Sequence, residues 1–303
     1  LSNSKTVIVI AGPTAVGKTA LAIEVAKHFN TEIISADSRQ CYKELNIGVA
    51  RPSVKELAAV QHHFIASHAV TENINAAYFE EYALHKASLL FKQHNVIVMV
   101  GGTGLYINAF CNGLDNIPQT PQPIREQLNK EYQQNGLLWL QQTVQQKDPA
   151  FWQIAEKQNP HRLLRALEVI ETTGKSITTF KTGTSKNRPF KIVKIALELN
   201  RQALYDRINT RVDVMMQEGL VEEVKALTAY QQLNALQTVG YKEIFSYLNH
   251  EINIEQAIAA IKQNTRHYAK RQLTWFRKDA TFTWFNAADI NAIISFLQQT
   301  VAL

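Results

Sequence analysis

Two periodicities alternate along the first third of the chain. Val7-Ile8-Val9-Ile10 is an unbroken apolar run of strand length, and Ala20-Leu21-Ala22-Ile23-Glu24-Val25-Ala26 after it has helical spacing. Glu32-Ile33-Ile34-Ser35-Ala36 reads as a second buried strand, positions 74–93 as a helical segment, and Val96-Ile97-Val98-Met99-Val100 as a third strand. Strands without polar alternation are buried on both faces, which predicts an α/β fold with a three-layer parallel sheet.

The pattern then changes. Pro118, Pro121 and Pro123 fall close together, and from there to about position 189 the sequence is helical and rich in Gln, Lys and Arg. This predicts a mostly helical insertion rather than more sheet. Inside it, Asn159-Pro160-His161-Arg162 has the form of a helix start, with Leu163, Leu164, Leu167 and Ile170 on an apolar face and Gly174 at the stop. The stretch 175–189 is polar and basic and is expected to be mobile. Phe190-Lys191-Ile192-Val193-Lys194-Ile195-Ala196-Leu197-Glu198-Leu199 has strand character, so the chain is expected to return to the sheet there. The expected division is a core of 1–115 with 190–303, including C-terminal helices, and an insertion of 116–189.

Composition narrows the class. With 303 residues, 46% apolar and 19% charged, the sequence is that of an ordinary soluble protein, and its formal charge of +6 suits an anionic partner. Cys41 and Cys111 are the only cysteines, too few for a disulfide framework or a cysteine zinc site, so a reducing cytoplasmic location is expected. No apolar run is long enough to span a membrane as a helix, and residues 1–4 do not resemble a secretion signal. The chain begins at Leu1 rather than Met, so a few residues are expected to be missing before it.

Chemistry enters at Gly12-Pro13-Thr14-Ala15-Val16-Gly17-Lys18-Thr19, a G-x-x-x-x-G-K-T run lying between a strand and a helix. In such a P-loop the glycines allow backbone N–H groups to turn onto phosphate oxygens. The helix start adds partial positive charge, Lys18 a full one, and Thr19 a hydroxyl for Mg²⁺. A polyphosphate is the expected ligand. Asp37 follows the second strand, where a carboxylate could take a proton from a nucleophile; its bland alternative is a turn or cap residue. The third strand runs into Gly101-Gly102 with no acidic residue, so the usual second Mg²⁺ anchor of ATP-hydrolysing P-loop proteins is missing there. Gly101-Gly102-Thr103-Gly104 forms a second glycine-rich turn. Arg207 and Arg211 share one helix face, as do Lys262, Arg266, Lys270 and Arg277, read either as a solvated basic face or as a nucleic-acid surface. His62 and His63 point to opposite sides of any strand, which favours a packing role over metal binding.

Several blocks together resemble the bacterial tRNA dimethylallyltransferase (tRNA isopentenyltransferase) family: GPTAVGKT at 12–19, SADSRQCY at 35–42, IGVARP at 47–52, HHFI at 62–65, VGGTGLY at 100–106, NPHRLLRALEV at 159–169, VGYKE at 239–243 and TRHYAKRQLTWFR at 265–277. The resemblance implies transfer of a dimethylallyl group from dimethylallyl diphosphate to the exocyclic amine of the tRNA adenosine 3′ of the anticodon. It implies Asp37 as general base, Thr103 beside the reacting groups, and Lys18, Thr19 and Arg211 on the diphosphate with Mg²⁺. It places Asp37, Ser38, Arg39 and Gln40, then Gln158, Asn159, Pro160, His161 and Arg162, then Val239, Gly240, Tyr241, Lys242 and Glu243, along the path of the anticodon loop. Val49 stands where the family usually has Thr. Eukaryotic relatives append a zinc finger, for which two cysteines are too few. A monomer is the default expectation. The readings left beside this one are a small-molecule kinase of the nucleotide-kinase type and a P-loop RNA-binding module without catalysis.

Overall fold

The apolar runs become the middle of a six-stranded, all-parallel sheet. The computed structural model describes residues 5–302, which divide into two compact units, Leu1–Cys111 with Asn187–Leu303, and Asn112–Lys186. The chain runs through β1 (Thr6–Ala11), α1 (Lys18–His28), β2 (Ile33–Ser35), α2 (Val54–Ala59), β3 (His62–His63), α3 (Ala76–Leu90), β4 (Val96–Gly101) and α4 (Gly104–Asn112). It continues through α5 (Gln122–Lys147), α6 (Pro149–Ile154) and α7 (Pro160–Thr173), then β5 (Lys191–Glu198), α8 (Arg201–Gln217), α9 (Leu220–Ala226), α10 (Tyr241–Leu248), α11 (Ile254–Phe276), β6 (Thr283–Asn286) and α12 (Ile290–Ala302).

In the first unit the strand order is β3-β2-β4-β1-β5-β6. Alternate residues of β1 feed opposite layers. Val7 and Val9 pack with Phe79 of α3, Phe110 of α4 and Ile244 of α10, whereas Ile8 and Ile10 pack with Leu21 of α1, Ile208 of α8 and Leu297 of α12. Helices therefore cover both faces, and the central strands need no polar side, which is why they read as continuous apolar runs. All four strands expected from the sequence form. The two edge strands, β3 and β6, were not foreseen, because a two-residue strand and the half-exposed Thr283-Trp284-Phe285-Asn286 carry no periodicity of their own; pairing with β2 and β5 defines them.

Register positions the site. Ala11 lies opposite both Gly101 and Ala196, and Ser35 lies opposite Val100, so β1, β2, β4 and β5 end close to one level. The turns that follow them emerge side by side at the carboxyl edge of the sheet, where ligands of open α/β sheets bind.

The second unit has its own core, in which Leu128, Leu140 and Val144 of α5 meet Leu163 and Leu167 of α7. Gly136, at φ 74° and ψ −169°, breaks α5 into two segments. Asn159 caps α7 by accepting the Arg162 N–H at 3.3 Å, Pro160 opens its first turn, and Gly174 stops it in the left-handed region. The Lys186 N–H donates to the Asn112 carbonyl at 2.8 Å, so the two ends of this unit meet. Particular residues of the stretch 175–189 make contacts. Ile177 is buried in the helical core, and Asp115 accepts from the hydroxyl and N–H of Thr182. Arg188, in the first unit, donates to the carbonyls of Ala109 and Phe110 and pairs with Glu80 at 2.9 Å.

Candidate active site

The turn after β1 is shaped by three residues with positive φ, Gly12 at 147°, Ala15 at 64° and Gly17 at 106°. Left-handed residues inside a short loop turn successive N–H groups to one side, making a concavity for anions, and Gly17 opens directly into α1. The ammonium of Lys18 folds back to donate to the Pro13 carbonyl at 2.7 Å. Burial, together with the charge of Arg211, pushes Lys18 down to about 8, although the Asp37 carboxylate opposes the shift.

Asp37 leaves the end of β2 in a tight turn. Its Oδ1 accepts the N–H groups of Arg39 at 2.9 Å and Gln40 at 3.1 Å. That is the turn role which the sequence left open for it, yet only one carboxylate oxygen is used, and Asp37 still lines the cleft with Lys18. Thr103 ties the neighbouring turn to it: its N–H donates to the Ala36 carbonyl at 3.2 Å, and its Oγ1 accepts the Ser38 N–H at 3.1 Å.

Two helices close the anion side. From α8, Arg207 donates to the Val16 carbonyl at 3.2 Å, and Arg211, one turn on, reaches the Thr14 hydroxyl at 3.5 Å. From α11 comes Gln272, buried, whose Oε1 accepts the Thr14 N–H and whose Nε2 donates to the Gly102 carbonyl, both at 2.9 Å. One turn earlier, Tyr268 lines the same cleft, and desolvation with the Asp37 charge pushes its phenol up to about 12.

These groups surround a cleft of about 1060 Å³. Lys18, Thr19 and Arg211 make one part of its lining cationic and hydroxylic, whereas Ile47, Val49, Met215 and Ile261 make another apolar. An anion with an apolar tail fits such a lining. The family model described as "IPP transferase" matches residues 40–279.

The chain belongs to the IPP transferase family.

Its similarity to curated members covers almost the whole sequence. It is 49% identical to the tRNA dimethylallyltransferase of Christiangramia forsetii, over 93% of both chains. It is 44% identical to tRNA dimethylallyltransferase 1 of Phocaeicola vulgatus, over 96% of this chain and 97% of that one. Among solved structures, the full-length tRNA isopentenylpyrophosphate transferase of Bacillus halodurans superposes with a TM-score of 0.73 at 35% identity, covering 98% of this chain and 97% of that one. A eukaryotic dimethylallyltransferase acting on tRNA superposes with a TM-score of 0.76 at 26% identity, covering 98% of this chain and 77% of that one. This family is a transferase of prenyl groups, and the nucleotide-kinase alternative has no support.

Within the first unit, the cleft lining includes Thr14, Lys18, Thr19, Asp37, Ser38, Arg39, Gln40, Arg211, Val239 and Gly240. Pro13 and Val16 are buried and contribute backbone to the loop. Tyr241 and Glu243 are both buried. Tyr241 is fully buried with its hydroxyl on Glu223 at 2.6 Å, and Glu243 is spent on the Gly240 N–H and on Asn264. The basic stripe of α11 is also mostly engaged. Lys262 pairs with Asp213, Arg266 donates to Asn209, and Arg277, just past the helix end, pairs with Glu198. In the second unit Gln158, His161 and Arg162 are exposed, and Arg162 pairs with Glu156 at 3.2 Å.

Two residues escaped the sequence reading. Gln272 lay inside a quoted block, but nothing local marks a glutamine as a bridge. Glu223 accepts the N–H groups of Asn46, Ile47 and Gly48 as well as the Tyr241 hydroxyl, and so fixes the loop carrying Ile47 and Val49. No helix among the described residues is long and apolar enough to cross a membrane.

Proposed function

We propose that this cleft catalyses transfer of the dimethylallyl group of dimethylallyl diphosphate to the exocyclic amine of the tRNA adenosine just 3′ of the anticodon. The observation that carries the reading is the meeting of Lys18, Arg211 and Asp37 in one cleft. The P-loop N–H groups, Lys18, Thr19 and Arg211 hold the diphosphate. The C1–O bond of the allylic substrate breaks, and its electron pair leaves with diphosphate, whose growing charge is stabilised by the cations already in place. The adenine nitrogen forms the new bond to C1, and Asp37 takes the N–H proton as that nitrogen becomes acidic. Thr103 fixes the turn on both sides of Asp37.

Mg²⁺ fits as a companion of the diphosphate rather than as a resident ion. No group of three or more His, Cys, Asp or Glu residues among the described residues could hold a metal, and Mg²⁺ commonly binds through substrate phosphates with few protein oxygens. Thr19 would supply the hydroxyl ligand. The ion would offset charge on the leaving group.

The anticodon stem-loop is the RNA partner in this reading. Ser38, Arg39, Gln40, Val239 and Lys242 in the first unit, and Gln158 to Arg162 in the second, are proposed as its contacts. An adenine in a loop must leave its stack to reach a carboxylate within the cleft, and Tyr268 offers an aromatic face there. A monomer is the assembly assumed in this reading, and a tRNA substrate favours the cytoplasm. The test is incubation with labelled dimethylallyl diphosphate and unmodified tRNA. Label should move to the adenosine beside the anticodon; label remaining on the diphosphate ester, or labelled phosphate moving from ATP instead, overturns the reading.

A further inference from the structure

α11 meets the second glycine turn at two points. A Cβ on Gly102 would lie 2.3 Å from Gln272 Nε2, and one on Gly104 would lie 2.2 Å from the Trp275 ring. The backbone of Gly102 and Gly104 therefore presses directly against the helix, and Thr103 between them is the one residue of the turn with a side chain to aim at the neighbouring loop. It is aimed at Ser38.

Gln272 is the joint in this arrangement. Its carboxamide is polarised by its partners: Oε1 must face the Thr14 N–H and Nε2 must face the Gly102 carbonyl. Six hydrogen bonds make up the chain of contacts. Thr14 to Gln272 and Gln272 to Gly102 link the phosphate loop to the glycine turn, and Thr103 then holds Ala36 and Ser38, the residues on either side of Asp37, with Asp37 itself closing the turn onto Arg39 and Gln40. One side chain from the C-terminal part of the chain thus joins the loop that carries Lys18 to the turn that carries Thr103.

We propose that Gln272 is a positioning residue for the transfer, coupling the diphosphate-binding loop to the Thr103–Asp37 turn, an inference that rests on the prenyl-transfer reading given above. Sub-ångström placement of reacting groups governs rate far more than affinity, so loss of the bridge should act on turnover. Glu is the informative replacement. It keeps an acceptor for Thr14 but loses the donor to Gly102, placing a carboxylate against a carbonyl. Gln272→Met retains the volume and loses both bonds.

The experiment begins with wild-type protein, labelled dimethylallyl diphosphate and unmodified tRNA; absence of transfer there would sink the prenyl-transfer reading itself, whatever Gln272 does. Given wild-type transfer, Gln272→Glu and Gln272→Met should lower kcat on the order of 10²-fold while tRNA Kd stays within about threefold. Combined with Asp37→Asn, the loss from Gln272→Glu should shrink to less than about tenfold, because the group it positions has been removed. Turnover within about threefold of wild type in both single variants, or a double variant whose losses multiply in full, would overturn the coupling. So would both variants failing to fold, since Gln272 would then be framework alone.

Discussion

Thr103 accepts the backbone N–H of Ser38 on its hydroxyl at 3.1 Å while its own N–H donates to Ala36, so a single residue grips the chain on both sides of Asp37. Thr103→Val removes the acceptor at nearly constant volume. Turnover should fall by about tenfold or more, in line with about 1 to 2 kcal/mol for an unmade hydrogen bond at a partly buried N–H. Thr103→Ser should restore most of it. Steady-state kinetics of the two variants is the check, and equal rates for Val and wild type would detach Thr103 from the mechanism.

For Asp37, replacement by Asn separates two roles in one side chain. The amide oxygen can still accept from Arg39 and Gln40, which keeps the turn, but the amide cannot take a proton. We expect turnover to drop by roughly 10² to 10⁴-fold with tRNA affinity within a few-fold. A variant that turns over at the wild-type rate would reduce Asp37 to its turn.

Lys18 gives the site a pH dependence. Its ammonium is pushed from the ordinary 10.5 to about 8 by burial and by Arg211. Diphosphate favours the charged form and raises the value on binding, so above pH 8 the protein must take up a proton to bind. Dissociation constants should be flat below pH 8 and rise by up to about tenfold per pH unit above it. Lys18→Ala should bind more weakly at every pH and lose that inflection. Titration calorimetry in buffers of different ionisation enthalpy would expose the proton uptake, and an affinity flat through pH 9 in wild type would contradict it.

The second unit begins and ends at hydrogen-bonded Asn112 and Lys186. A short linker in its place should therefore leave the sheet and its cleft folded. The shortened protein is expected to keep binding dimethylallyl diphosphate and to lose most tRNA affinity. Wild type should show log K falling with log salt by about 0.7 per phosphate contact in a single-stranded loop, with a shallower slope after the deletion. Identical slopes would mean that Gln158 to Arg162 do not meet RNA.

Loss of the Glu223 carboxylate should be costly for stability. Glu223→Ala strands three backbone N–H groups and the Tyr241 hydroxyl, and a loss on the order of 2 to 4 kcal/mol is expected. Chemical denaturation measures it; a change below about 0.5 kcal/mol would mean that water replaces the carboxylate without loss.

What the sequence determined by itself was local. Val7 to Ile10 and Val96 to Val100 are buried on both faces, so their apolar runs announced a covered parallel sheet, and the loop between Gly12 and Thr19 announced an anion site because its chemistry is contained in eight consecutive residues. Asn159 and Gly174 marked the ends of a helix for the same reason: a cap acts within one turn. Contacts made across long stretches of chain left no such trace. The edge strand at Thr283 exists because β5 offers it hydrogen bonds. Tyr241 looked available for RNA but is buried, since its partner Glu223 sits on a different helix. The α11 cations looked free, yet Lys262 and Arg266 find Asp213 and Asn209 on α8. Gln272 reaches Thr14 across 258 positions of sequence. Such pairs depend on which helix is laid against which, and periodicity along one element carries no information about the polar groups that a neighbouring element will present to it.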